Sequence, residues 1–510
     1  MATLPTAVRP LGTFLGLHKG VITVCRYAVP TSVDGQPRTK EQVRARVEAA
    51  VAVVIGQLGA LRTGIAGEET RQPQFVAVAS VDVREHVEWR GGGEAEEKEL
   101  ERQLEDECGR SWPDLETHPP WRLLGFNRDP DDRPQHIDLA FAAHHALADG
   151  KSGQVFHRFL VEALNEGETM GEIDSETNTP TKTDSTAVLR FDNVPLLAPP
   201  QEQLVRFTVS WGFFARTLWN ELGLAWLKRA VAAVLGRGET SSAPVLYTGD
   251  QPIRLVLGRT RVCLLSVAPP DLAALLAACR VHGTTLTPLL HGLLLVAATA
   301  ARRKMPLAGA TTTFSGTTPI SLRGHVTQPK PQLDMKRTMG NYVSAYRHVF
   351  SRGAVQVLED APVVGSHPDA ALWEAVAEVD VGLRACTADV TRDSVLGLLA
   401  WVRDWHGWFR GKAGQLRDDT WEVSNVGTMD NNNDNNSGGW HLTRSLFVFT
   451  APATGPLLEL TAASVHGGPL TLALVRQQGS PAEEQFCEEV WADVKTSLWR
   501  FRHSGRFMGE

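Results

Sequence analysis

No two cysteines in this chain fall at CxxC spacing. Cys25, Cys108, Cys263, Cys279, Cys386 and Cys487 are scattered and none stands in a metal-ligand pattern, so no zinc module or redox pair is expected. A secretory signal is not expected either, because MATLPTAVRPLGTF lacks a basic stretch followed by an apolar run. Reduced thiols in a cytoplasmic enzyme are the plain expectation. Positive charge is not in excess: 51 basic against 58 acidic residues leave a formal charge of −7, which argues against a nucleic-acid partner as the main role. Missing too are a Gly-rich phosphate loop and a nucleophile elbow in strand–turn–helix context.

Long uninterrupted apolar runs are also scarce. Residues 204–235 come nearest, with Phe207, Trp211, Phe213, Phe214, Leu218, Trp219, Leu222, Trp226 and Leu227, but Arg206, Arg216, Glu221, Lys228 and Arg229 break the run. A packed helical hairpin over a tunnel is the first reading. The second is helices lying on a membrane surface, peripheral to an internal membrane. The helix expected from Thr285 to Arg303 is apolar nearly all round but short and interrupted, which suits a buried core helix.

Hydrophobic residues make up 43% of the 510, enough for sizeable cores, and at about 150 residues per domain the length suggests two or three units. The stretch richest in chemistry is Phe141–Gly153, FAAHHALADGKSG. Before it, Ile137, Leu139, Phe141 and Ala143 alternate like a strand buried on one face. After it, Ser152 is expected to cap a helix whose Val155, Phe156, Phe159, Leu160, Ala163 and Leu164 recur at helical spacing. His144, His145, Asp149 and Gly150 lie between, where a strand end can hold a polar side chain rigidly beside a cavity.

This HHxxxDG form resembles the motif of the chloramphenicol acetyltransferase-like superfamily, which includes peptide-synthetase condensation domains, plant-type acyltransferases and fungal alcohol acetyltransferases. The chain is most similar to the last group. RPLG at Arg9–Gly12, PPWRLLGF at Pro119–Phe126, ISLRGH at Ile320–His325, MGNY at Met339–Tyr342, VSNVG at Val423–Gly427 and VHGGPLTLAL at Val465–Leu474 follow in the group's order. The plant branch's DFGWG block is absent, and VSNVGTMD stands in its place. The resemblance implies an α/β (α+β) fold of two lobes, each a mixed sheet covered by helices, with the active-site tunnel between them.

The segments divide accordingly: residues 1–195 form an N-terminal lobe carrying the motif, 196–250 a helical crossover, and 251–510 a C-terminal lobe. Helices are expected at Lys40–Leu61, at Glu94–Glu107 with its mixed charge as a solvated face, over most of Ala370–Arg410, and from Pro481 to about Trp499. Strands are expected at 20–29, Phe75–Val83, Trp121–Phe126, Val262–Val267, Thr311–Leu322, Tyr342–Phe350, Ser445–Thr450 and Pro469–Arg476. Glu166–Ala187 reads as a mobile crossover loop and Asn431–Gly439 as a disordered polar loop.

Acyl transfer from a thioester to an alcohol needs the hydroxyl proton removed as oxygen attacks, and a neutral imidazole can accept it near neutral pH. By resemblance His145 is that base, His144 supports the loop, and Asp149, in the catalytic motif, pairs structurally with Arg323 in ISLRGH. Gly150 would supply backbone freedom for the turn. Ser424, Asn425 and Asn341 are candidates for the oxyanion or substrate. His291 reads as a core residue, and no metal is expected. The implied co-substrate is acetyl-CoA or another acyl-CoA. The acceptor is expected to be a hydroxyl on a hydrophobic small molecule of secondary metabolism, given an apolar, Trp-rich lining, and a monomer suffices. Three rivals stand beside this: a condensation-type enzyme with a carrier-protein-bound acyl donor, a donor-free cyclase or isomerase using the same His, and a membrane-surface or scaffold protein.

Overall fold

The computed structural model describes residues 3–7, 19–32, 35–70, 73–91, 96–127, 132–169, 188–222, 245–256, 258–305, 312–327, 333–360, 368–401, 404–431 and 438–509. The N-terminal half supplies β1 (Gly20–Ala28), β2 (Val87–Gly91), β3 (Trp121–Asn127) and β4 (His136–His144). The C-terminal half supplies β5 (Thr260–Val267), β6 (Ser315–Ser321), β7 (Val343–Val349), β8 (Trp421–Met429), β9 (His441–Phe449), β10 (Leu458–Val465) and β11 (Leu470–Gln477). The main helices are α1 (Lys40–Gln57), α2 (Glu96–Gly109), α3 (Gly150–Thr169), α4 (Leu286–Arg303), α5 (Pro368–Ala388) and α6 (Pro481–Ser504).

These strands build two sheets, a five-stranded one ordered β9-β1-β4-β3-β2 and a six-stranded one ordered β5-β11-β10-β8-β6-β7. The fold is mixed α/β, with two helix-covered lobes. The expected division at residues 195 and 251 takes one correction. Strand β9 belongs by position to the C-terminal lobe, yet it pairs antiparallel with β1 in the N-terminal sheet. The lobes are thus tied by backbone hydrogen bonds as well as by side-chain packing.

Strand β4 is covered on both faces. Ile137, Leu139, Phe141 and Ala143 pack against Val155, Phe156 and Leu160 of α3, with Phe141 and Phe156 stacked at 3.9 Å between centroids. Ala140 and Ala142 face Leu100 and Leu104 of α2 on the other side. Helix α2 is therefore not a simple solvated face. Its Glu101 and Glu105 accept the N–H groups of Leu264 and Val262 on the edge strand β5, at 2.7 and 3.1 Å. The acidic side chains cover an otherwise open sheet edge of the opposite lobe.

In the C-terminal lobe α4 lies between the sheet and α5 and α6, with twelve buried residues including His291. No single helix among the described residues is long and apolar enough to cross a membrane. Several expected boundaries shift. Helix α1 stops at Gln57, and the expected strand at Phe75–Val83 is two shorter ones, Gln74–Ala77 and Ser80–Asp82. Helix α3 runs on to Thr169 into the expected loop, whose residues 170–187 lie outside the described set. The Ala370–Arg410 helix breaks after Ala388, and Asp393, five residues on, adopts φ +51°. Residues 204–222 do not form one helix: Leu204 ends a single turn, Thr208 bridges to Arg392, and a helix runs over Trp211–Leu222. Residues 9–12, 223–235 and 432–437 lie outside the described set.

Candidate active site

Strand β4 ends at His144, and a turn of a few residues leads to α3, so the motif sits where a rigid strand becomes a rigid helix. Helix α3 opens on a cap, but Ser152 is not that cap. Asp149 accepts the backbone N–H and the hydroxyl of Ser152, both at 2.9 Å, which satisfies a donor of the first helical turn. The other bonds of the carboxylate come from the C-terminal half. Arg323 approaches it in a fork, Nη1 to Oδ2 at 2.5 Å and Nη2 to Oδ1 at 2.9 Å, and the N–H of Tyr342 adds a third contact at 3.1 Å. Burial alone would raise this carboxyl, but the Arg323 charge and these hydrogen bonds outweigh it and hold it below the ordinary value.

The same cluster positions Asn341. Arg323 Nη2 donates to the carbonyl of Gly340 at 3.1 Å, and Ser152 Oγ, whose one proton goes to Asp149, accepts the Gly340 N–H at 3.0 Å. Gly340 has φ +153°, and a Cβ there would stand 2.5 Å from the Tyr342 ring. So held, the loop brings the Asn341 amide to the carbonyl of His145, to which it donates at 3.2 Å, and to the same distance from His145 Nδ1. Burial first of all lowers the His145 pKa, against the opposing pull of its own and the Ala148 backbone carbonyls.

His144 points elsewhere. Its Nδ1 accepts the Ala146 N–H at 3.2 Å, so Nε2 carries the proton and donates to Glu68 at 3.0 Å. Glu68 was not anticipated, because its loop lies far from the motif in sequence. Gly150 takes a correction too. It is not among the positive-φ glycines; what it lacks is a Cβ, which would stand 2.6 Å from Val426 Cγ1 and 3.0 Å from the Phe447 ring. Lys151 and Gln154 complete this contact by bonding the Val426 carbonyl, so α3 docks directly on β8.

A cavity of about 610 Å³ opens beside His145, lined from the N-terminal half by Val21, His145, Asp149 and Gly150 and otherwise mostly by β6, β7, β8 and the segment after α5. Its size suits a small-molecule site. Strand parity sorts the C-terminal candidates. On β8, Trp421 and Val423 face the helix-covered core, while Glu422 and Ser424 face the cavity. Asn425 shares the odd-numbered face: its amide donates to Thr287 at 3.1 Å and its oxygen accepts the Gly427 N–H at 2.9 Å. Asn425 therefore makes its bonds away from the cavity, and of the three candidates Ser424 and Asn341 line it. The expected Trp-rich lining is not found among the described lining residues. Trp121, Trp421 and Trp440 are fully buried instead.

Comparison with known proteins agrees with this architecture. The model of the alcohol acetyltransferase family matches residues 72–492. The chain is 27% identical over 500 residues to the probable alcohol acetyltransferase FCK4 of Fusarium pseudograminearum, covering 96% of this chain and 93% of that protein. It is 22% identical over 446 residues to the probable alcohol acetyltransferase crmB of Aspergillus fumigatus, covering 85% of each. Among solved structures, the TRI3 trichothecene 15-O-acetyltransferase from Fusarium sporotrichioides superposes with a TM-score of 0.64 at 11% identity, over 95% of this chain and 93% of that one. The epimerization domain from the third module of tyrocidine synthetase B follows at 0.53 and 16%, over 99% and 97%. These two likenesses are of fold. With the family match spanning most of its length, the chain belongs to the alcohol acetyltransferase family and is an acyltransferase.

Proposed function

We propose that the protein transfers an acetyl group from acetyl-CoA to a hydroxyl of a largely apolar small molecule, in a ternary complex without a covalent enzyme intermediate. The observation that carries this reading is that His145 and Ser424, from opposite lobes, line one cavity. In the tautomer whose Nδ1 proton is directed to the backbone carbonyls of His145 and Ala148, the Nε2 lone pair of His145 is left to take the hydroxyl proton as oxygen attacks the thioester carbonyl. The tetrahedral oxyanion then needs a donor, for which the Ser424 hydroxyl and the Asn341 amide are the candidates. Collapse breaks the C–S bond, and the proton on His145 passes to the leaving thiolate. Products are the ester and free CoA.

The test is thiol release from acetyl-CoA with a panel of apolar alcohols. Acceptor-dependent release supports the reading. Failure to bind CoA in calorimetry overturns it and favours a carrier-protein donor. A second expectation separates Ser424 from Asn425. Ser424→Ala should lower kcat with little change in melting temperature. Asn425→Ala should leave kcat near that of the intact enzyme and cost about 1 kcal/mol of stability, from the lost bonds to Thr287 and Gly427. The opposite pattern in kinetics and urea unfolding would exchange their roles.

A further inference from the structure

The cavity carries one feature that the transfer step leaves unused. Glu422 on β8 and Glu459 on β10 are register partners in adjacent parallel strands, and both line the cavity. Neighbouring strands stand about 4.8 Å apart, so the two carboxyl groups lie side by side. Glu459 is only 2% exposed, and its Oε2 has no hydrogen-bond partner. Glu422 receives one long bond, from the Thr317 hydroxyl at 3.5 Å. Arg417, the cation acting on Glu459, directs its N–H groups to the carbonyls of Ala453 and Gly455 and to the side chain of Gln477. Among the described residues, no Lys, Arg or His forms an ion pair with either glutamate. Burial pushes Glu422 up to about 7 and Glu459 well above the usual carboxylate range, with mutual repulsion adding to the second.

Position and chemistry narrow the occupant. Val426 abuts Gly150 at the motif, Ser424 comes next along the wall, and Glu422 lies beyond it. Four steps along the strand lead from Val426 to Glu422, roughly 13 Å at the usual rise. Ser424 is two residues from Glu422, roughly 7 Å along the strand, so the acid pair lies just beyond Ser424 on the side away from the motif. No cluster of three metal-ligating side chains occurs among the described residues, so a metal ion does not suit the pair. A neutral hydroxyl would satisfy Oε2 but bring no countercharge to two carboxyl groups whose joint ionisation burial and mutual repulsion oppose. A cationic N–H donor answers both needs.

We propose that Glu422 and Glu459 hold a protonated amine nitrogen of the acceptor, at the part of the cavity away from His145. An amine entering neutral takes its proton from the pair; one entering as ammonium displaces that proton to solvent. Naming this ligand as the acceptor rests on the acyl-transfer reading above, whereas the amine site itself does not.

The experiment compares two probes by calorimetry on the full chain: an eight-carbon primary alcohol ending in a dimethylamino group, and its carbon isostere ending in isopropyl. The tertiary amine cannot itself be acylated to a stable amide. The intact protein should bind the amine roughly tenfold or more tightly than the isostere, the ratio expected of one charge-assisted hydrogen bond. In the double variant Glu422→Gln, Glu459→Gln the ratio should fall to near one. If that variant does not fold, Glu459→Gln alone supplies the comparison. Equal affinity for the two probes in the intact protein, including binding of neither, overturns the proposal, as does a preference that survives in the Gln variants. An amine preference without thiol release from acetyl-CoA would keep the site and reject the acyl-transfer reading.

Discussion

Replacing His145 with Ala should abolish most of the transferase activity, lowering kcat by on the order of 10²–10⁴-fold, the usual contribution of a positioned general base. Binding of CoA should change little, because the loss falls on the proton-transfer step. Thiol release at saturating acetyl-CoA measures this directly. A variant that keeps activity within a few-fold of the intact enzyme would remove His145 from the mechanism. The pH profile adds a second check. Burial lowers the imidazole pKa, so the neutral, base-competent form persists below the ordinary value of 6.5. The acid limb of kcat/KM should therefore lie below pH 6.5, and a limb above it would contradict the buried setting of the ring. Asn341→Ala removes the amide that fixes the ring's backbone, and should lower kcat more than it raises KM.

Breaking the Asp149–Arg323 pair should cost about 3–5 kcal/mol of stability, the penalty for leaving a buried charge without its partner. Asp149 is 2% and Arg323 10% exposed at the side chain, so water cannot replace the lost contact cheaply. Asp149→Ala also removes the cap of α3 and the acceptor for the Tyr342 N–H. Urea unfolding of Asp149→Ala, Arg323→Ala and the double variant forms the measurement, and the double variant should lose much less than the sum. Strict additivity would mean that the fork contributes nothing as a pair. The sign of the pH dependence follows from the depressed Asp149 pKa. Its stabilisation is full above the ordinary value of 3.8 and is lost as pH falls through the lower folded value, so the Asp149→Asn penalty should shrink in that acid range. Activity should fall too, because the same cluster holds Gly340 and hence Asn341 against His145.

Several parts of this arrangement were legible in the residues themselves. The alternation at Ile137–Ala143 and the helical spacing of Val155–Leu164 locate the strand and helix that flank HHALADG, because each face is buried against one partner. The strand β10 was not legible. All eight of its residues are buried, so no polar face marks a period of two, and a glutamate near its start with two alanines inside speaks against a strand. Nothing in the sequence therefore marks Glu459, although it stands beside Glu422 in the cavity wall. The charge on α2 misled for a related reason. Glutamates that cap a sheet edge look, in one dimension, like glutamates that face water.

From sequence alone came the two-lobed α/β plan, the motif strand and helix, the family resemblance, and His145 as the candidate base. Those rest on local periodicity and on short ordered blocks, which are properties of neighbouring residues. Only the tertiary structure decided that Asp149 caps α3 while Arg323 spans the lobes to reach it. It also turned Asn425 away and Ser424 inward, sent β9 into the opposite sheet, and set Glu68 against His144. Each of those outcomes depends on strand parity and on contacts between residues far apart in the chain, where the number of alternative pairings is large and only the packing of both lobes selects one.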